Sequence, residues 1–410
     1  MKILLINKYL YPKGGDAIST LNTGRLLTKM GHEVIYWGMD HPDNPEYPNK
    51  ESFVPNINYA ANVSLFKKII IANNILYSYD AKSRVEGIIK TEKPDIVHVN
   101  NIAHQISPSI LHVFKKYRIP TVMTLRDFKL VCPVYTMTNR GVICEKCKRG
   151  RYYNCLMKKC SKDSYIKSAI NMFEMYLHHC IMHIYDDIQT VIATSIFIKD
   201  KHIEMGLKNN IVHLPNFVHV NDYSPVYKWE DEFIVYFGRL SKEKGIDTLI
   251  EAVKGIPIKL KIIGDGPMRK ELEELSKDYK NIVFIGHKYG NDLRNEIAKS
   301  MFTVIPSNWY EAFGRTVIES YALGKPVIGS KIGGIPELIK EYRTGLTFKA
   351  GDVVDLRNKI NYLLGNPERI TSYGKEGRIY VENEFNELKH YKRLIEIYNS
   401  AIADYRNKIN

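Results

Sequence analysis

Short apolar runs recur along this chain, each followed by a stretch of helical character, and that alternation constrains the fold more than any other feature. In the first half the runs are Lys2–Asn7, Glu33–Trp37, Ile96–Asn100, Thr121–Leu125 and Thr190–Ala193. In the second they are Phe233–Phe237, Leu260–Ile263, Ile282–Ile285, Phe302–Ile305 and Val327–Gly329. Short apolar strands separated by helices predict parallel sheets covered on both faces. A polar stretch with Pro225, Val218–Trp229, divides the two series. The expected class is α/β, with two Rossmann-like doubly wound domains facing a cleft. A chain of 410 residues, 44% hydrophobic, can fill two such cores. Ligands of such sheets sit beyond the carboxyl ends of the strands.

Several classes are set aside early. No run of eighteen apolar residues is present, so no membrane-spanning helix is expected. The apolar run at the N-terminus is too short for a secretory signal and is closed by Lys8 and Pro12. Six cysteines in this length do not make a disulfide framework, which points to a reducing cytosol.

The segment Asn308–Ile339 carries the densest chemistry. Glu311 and Glu319 stand eight residues apart across the loop-to-helix junction Phe313-Gly314-Arg315. A carboxylate before a helix start can accept hydrogen bonds from sugar hydroxyls, and the free N–H groups of the first turn suit a neighbouring diphosphate. A second carboxylate about two turns along could take a ribose. Upstream, Gly238-Arg239-Leu240-Ser241-Lys242-Glu243-Lys244-Gly245 follows an apolar strand and precedes a helix over Gly245–Lys254. Gly264-Asp265-Gly266-Pro267 forms a tight turn after another strand, and the loop Tyr11-Pro12-Lys13-Gly14-Gly15-Asp16 follows the first. Taken singly, Gly14-Gly15 is a turn, Arg239 and Lys244 are surface charges, and Glu319 is a helix residue.

Taken together and in order, from about residue 2 to residue 384, these segments resemble the retaining glycosyltransferases of the GT-B fold. The specific resemblance is to glycosyltransferase family 4 (glycosyl transferases group 1), with its E-x7-E and G-R-x-x-x-x-K-G elements and a P-N pair at Pro215-Asn216. The resemblance implies an acceptor-side domain over 1–217, a donor domain over 218–384 and a C-terminal helix over 385–410 that crosses back to the first domain. It implies that Arg239 and Lys244 bind the diphosphate of a UDP- or GDP-sugar, as a bidentate cation and a point charge. Glu311 would orient the sugar, Glu319 would hold the ribose, and backbone near Phe313, Gly314, Arg315 and Thr316 would stabilise the departing phosphate. Gly14, Gly15 and Gly264 would let backbone approach the donor. Transfer would need no divalent ion or other cofactor and would retain anomeric configuration.

The first domain departs from the family pattern. In Thr124-Leu125-Arg126-Asp127, relatives often read T-x-H-D, and Arg126 stands where the histidine would be. Arginine stays protonated and cannot serve as a general base. It can clamp an anionic sugar, stabilise the leaving phosphate, or simply pair with Asp127. His98-Val99-Asn100-Asn101 resembles a strand-end motif of the same family, with Asn100 in place of a second histidine. Arg126, Asp127 and His98 are thus the acceptor-side candidates.

An insert at about 132–165 holds Cys132-Pro133 and then Cys144, Cys147, Cys155 and Cys160. The last four could close a tetrahedral structural zinc site, or remain free thiols or a redox-labile pair. The insert is basic, with Lys146, Lys148, Arg149, Arg151, Lys158, Lys159, Lys162 and Lys167. It leads into a helix-like apolar run, Ile166–Tyr185. With a net charge of +14, this suits an anionic membrane surface and a glycan or lipid-linked acceptor, placing the protein on the inner face of the cell membrane. The bland alternative is a helix packed on the first domain beneath solvated lysines. Two rivals remain: a nucleotide-sugar epimerase of similar fold, and a basic Cys-cluster protein binding nucleic acid. The second leaves Glu311, Glu319 and both α/β series unexplained, so no nucleic-acid partner is expected.

Overall fold

The computed structural model describes residues 1–56, 73–229 and 231–409, and among these it forms two parallel six-stranded sheets flanked by helices. In chain order the strands are β1 (Lys2–Ile6), β2 (Glu33–Trp37), β3 (Ile96–Val99), β4 (Thr121–Leu125), β5 (Thr138–Asn139), β6 (Val142–Ile143), β7 (Thr190–Ala193) and β8 (Ile211–His213). The second half continues with β9 (Phe233–Phe237), β10 (Lys259–Ile263), β11 (Ile282–Gly286), β12 (Thr303–Ile305), β13 (Val327–Ser330) and β14 (Gly345–Phe348). The first sheet runs β2-β1-β3-β4-β7-β8 and the second β11-β10-β9-β12-β13-β14. Central strands are buried on both faces: Ile3, Leu4, Leu5 and Ile6 of β1 are fully buried, as are Phe233, Ile234 and Val235 of β9. Continuous apolar runs allow this, because no residue in them needs water.

The edge strands β8 and β14 were not anticipated. Each is only three or four residues long and completes its sheet by pairing with β7 or β13.

The two domains share two adjacent chain crossings. Val218 N–H donates to Phe385 O at 3.0 Å, and Val218 bridges Asn386. After the second crossing the helix Glu387–Ile409 returns to the first domain. Its Leu394, Ile397, Tyr398 and Ala401 pack into one apolar cluster with Ile3, Leu27, Ile96, Val122 and Ile192.

The insert folds as the hairpin β5–β6, short helical turns and the helix Tyr165–Tyr176. The helix expected over Ile166–Tyr185 stops short. It widens into a π-helical turn, Leu177–Ile181, where the His178 ring turns inward to bond Leu76 O at 2.6 Å, and His183 then takes a positive φ of 48°.

Candidate active site

The second-domain wall of the cleft is assembled by backbones pressed closer than any side chain would allow. Gly238 (φ +148°) and Gly264 (φ +145°) lie at the ends of β9 and β10, and a Cβ on Gly264 would sit 1.9 Å from Gly238 O. The loops are stitched together as Leu240 N–H donates to Asp265 O at 2.9 Å and Met268 N–H to Leu240 O at 3.0 Å. Gly245 (φ +63°) presses on Pro306, where a Cβ would come within 2.1 Å of the carbonyl. That approach delivers Lys244, in the single turn Lys242–Lys244, to Glu311.

Lys244 Nζ meets Glu311 Oε1 at 2.5 Å, and Ser307 Oγ donates to the same oxygen at 2.7 Å. Burial alone would raise the Glu311 pKa, but the Lys244 charge and these hydrogen bonds outweigh it and hold the carboxyl below its ordinary value. Gly333 and Gly334 secure the backbone of Glu311: a Cβ on Gly333 would lie 2.4 Å from Glu311 N, and Gly334 N–H donates to Glu311 O at 2.8 Å. Neither Ser307 nor this glycine pair was singled out from sequence, because their bonds to Glu311 appear only in the fold.

Gly314, at φ +95°, turns the chain into the helix Arg315–Ala322, whose start has no capping side chain. Phe313 is buried beside the domain crossing against Phe385, while Thr316 lies half-buried in the first turn. Arg315 Nε donates to Glu319 Oε1 at 2.6 Å, and its Nη1 reaches across the cleft to Ser19 Oγ at 3.2 Å. Ser19 lies on the helix Gly15–Lys29 of the first domain. Arg239 is exposed and makes no ion pair among the described residues. Gly15 faces open space and Gly14 is extended at φ −172°, so packing within the protein does not demand glycine at either position.

On the first-domain wall, Arg126 extends from the end of β4. Its Nε and Nη2 donate to Asn100 Oδ1 at 3.0 and 2.9 Å, and its Nη1 donates to Asn216 Oδ1 at 2.7 Å. The expected alternative, a pair with Asp127, is replaced by these neutral partners. Asp127 instead accepts the Lys129 N–H at 2.8 Å, and burial raises its pKa. His98 lies under the floor of the cleft. Its Nδ1 meets Tyr398 Oη and its Nε2 meets Thr124 Oγ1, both at 2.7 Å, and burial lowers its pKa to about 3. With both nitrogens engaged it acts as a neutral pin between β3, β4 and the C-terminal helix.

Cys147 and Cys155 pack with Cys132 in the first-domain core, whereas Cys144 and Cys160 are half-buried. Burial pushes Cys132 up to about 11 and Cys147 up to about 12, and the hydrogen bond to Cys160 raises Cys155 further. Cys132, Cys147 and Cys155 are held as neutral thiols, whereas the hydrogen bond with Cys155 pulls Cys160 down to about 7. Among the described residues no group of three or more His, Cys, Asp or Glu is arranged to hold a metal ion, so the four cysteines expected as zinc ligands form no preformed tetrahedral set.

The comparisons with known proteins bear directly on this cleft. Residues 13–222 match the model of Glycosyltransferase Family 4, and residues 223–380 match that of Glycosyl transferases group 1. The chain belongs to glycosyltransferase family 4. Over 97% of both chains it is 24% identical to the N-acetyl-alpha-D-glucosaminyl L-malate synthase of Bacillus anthracis. It is 27% identical to the capsular polysaccharide biosynthesis glycosyltransferase CapM of Staphylococcus aureus, over 70% of this chain and 75% of that one. Among solved structures, sucrose-phosphate synthase from Thermosynechococcus elongatus superposes with a TM-score of 0.72 at 21% identity, covering 98% of this chain and 99% of that one. Anabaena HepE in complex with UDP-glucose superposes at 0.69 and 18% identity, covering 98% and 100%. These superpositions show the shared GT-B fold. This glycosyltransferase thus carries its Lys244–Glu311 and Arg315–Glu319 pairs on the wall that its family's second model covers.

Proposed function

We propose that this glycosyltransferase moves a sugar from a nucleoside-diphosphate donor to a hydroxyl of a glycan or lipid-linked acceptor, with retention, in surface polysaccharide or glycolipid synthesis. The observation that carries the reading is the meeting of Lys244 and Glu311 on the donor-side wall. Arg239, which makes no ion pair among the described residues, and Lys244 would hold the diphosphate and neutralise the charge that grows as it leaves. A diphosphate competing for Lys244 would release Glu311 to the sugar hydroxyls. Glu319, fixed by Arg315, would take the ribose, and the uncapped N–H groups at Arg315 and Thr316 would face the phosphates. In this reading the leaving phosphate takes the acceptor proton on the same face of the sugar.

A membrane-held acceptor is supported by the insert. Met157 (71% exposed), Tyr165, Ile166 (76%) and Phe173 stand out to solvent among Lys158, Lys159, Lys162 and Lys167. Exposed apolar groups interleaved with lysines suit the interface of an anionic bilayer. No helix among the described residues is long and apolar enough to cross a membrane, so attachment would be peripheral.

The test is release of nucleoside diphosphate from a panel of UDP- and GDP-sugars, with and without a membrane extract. Release from one donor, stimulated by extract, with the product's anomeric configuration retained by NMR, is expected. No release, or acceptor-independent isomerisation of the donor sugar, would replace the transferase reading with an epimerase.

A further inference from the structure

Arg126 is a half-buried, strongly desolvated cation with no counter-ion in contact among the described residues. All three of its hydrogen bonds go to amide oxygens, those of Asn100 and Asn216. Guanidinium has five N–H groups, so two are left without a protein acceptor among the described residues. Burial lowers its pKa to about 10, with Asp16 acting on it as an opposing charge at longer range and Arg315 as a like one. Asp16 itself accepts the Asn101 amide at 3.3 Å. A desolvated cation held only by neutral dipoles is costly unless an anion completes it. The contrast with the other wall is sharp, where Lys244 and Arg315 each already touch a carboxylate.

The position of Arg126 narrows the choice of anion. It sits at the carboxyl end of β4, close enough to Arg315 to feel its charge. The donor-side wall already offers Arg239 and Lys244 for a diphosphate. A guanidinium on the opposite wall, with donors left over, is suited to a second oxyanion further along the substrate.

Resting on the glycosyltransferase reading, we propose that Arg126 is a specificity-determining residue that holds an oxyanion beyond the donor diphosphate, so that one of the two joined partners is anionic. The oxyanion is either the carboxylate of a uronic sugar being transferred or a phosphate on the acceptor.

The test measures binding by calorimetry in charged and neutral pairs. The donor arm compares UDP-glucuronate with UDP-glucose and GDP-mannuronate with GDP-mannose. The acceptor arm compares glucose 1-phosphate with glucose in the presence of UDP or GDP. Preference for the charged member by about tenfold or more is expected in one arm, the worth of one charge-assisted contact. That arm names the source of the oxyanion. Arg126→Gln should abolish the preference and leave the affinity for UDP or GDP alone unchanged. Asn100→Asp keeps Arg126 and its hydrogen bonds but supplies a permanent carboxylate, and it should abolish the preference as well. A purely structural Arg126 would be stabilised by that change and would leave substrate preference untouched. The proposal fails if neither arm shows a preference, if the preference survives both variants, or if Arg126→Gln weakens the bare nucleotide equally. Binding of bare UDP or GDP separately reports whether the donor site itself exists.

Discussion

On the second-domain wall of the cleft the two central acids each touch a cation, Glu311 with Lys244 and Glu319 with Arg315. On the first-domain wall the central polar groups have neutral partners: Arg126 with two asparagines, and His98 with a threonine and a tyrosine. The glycines divide in the same way. Gly264 and Gly245 are where they are because another backbone leaves no room for a side chain, whereas Gly15 looks into open space. On one wall both central acids already have a cation before any ligand arrives, and Arg239 stays exposed. The other leaves a cation with no counter-ion in contact among the described residues and a stretch of bare backbone. In the proposed function, with the donor on the second-domain wall and the first-domain wall completing itself on the substrate, closure of the cleft would depend on both partners being present.

The comparison is broken most directly at Glu311. Glu311→Ala should lower donor turnover on the order of a thousandfold, with circular dichroism unchanged; near-normal turnover would take the donor site off this wall. Next in size, Gly264→Ala drives a Cβ to 1.9 Å from Gly238 O, and should destabilise the second domain by about 3 kcal/mol or more. Denaturant titration measures it, and an unchanged midpoint would show that the loops part easily.

Acid should separate the domains. His98 titrates near 3 in the fold, against an ordinary value of 6.5, so its neutral form is favoured. Its contribution is fully present above pH 6.5 and is lost as pH falls below that, by about 2 kcal/mol at pH 5. His202 and His390, lowered by burial to about 4, act in the same direction and also pack on the first domain. Hydrogen exchange at pH 5 should therefore open the first domain ahead of the second, whose only histidines, His219 and His287, lie outside its core clusters.

Smaller still, Gly15→Ala should leave stability within about 0.5 kcal/mol, while raising the donor KM about tenfold as the new methyl meets the substrate. Equal KM values would show that the first-domain loop does not approach the donor. Tyr398→Phe, which removes one hydrogen bond from His98, should cost about 1 kcal/mol in thermal unfolding with activity intact.

Much of this arrangement was legible in the sequence because it is local. Buried strands announce themselves as unbroken apolar runs, and ten of them were located to within a residue or so. The edge strands β8 and β14 were missed because three or four residues ending in His213 or flanking Thr347 carry too little apolar signal. At the site, the spacing from Glu311 to Glu319 and the loop ending in Gly245 were visible as patterns along the chain. The partners that decide their chemistry were not. Ser19 lies 296 residues from Arg315, and Asn216 lies 90 residues from Arg126. No local rule connects residues so far apart, and so the pairing of Arg126 with amides rather than with adjacent Asp127 had to come from the fold.

The returning helix has a consequence for biogenesis. The first domain's sheet is finished by residue 213, yet Leu394, Ile397, Tyr398 and Ala401 are part of the cluster that covers one face of it. On the ribosome, that face stays uncovered while the entire second domain is made. The domain that begins first is completed last, and a nascent chain stalled before residue 390 would present a folded second domain beside a sticky, unfinished first one.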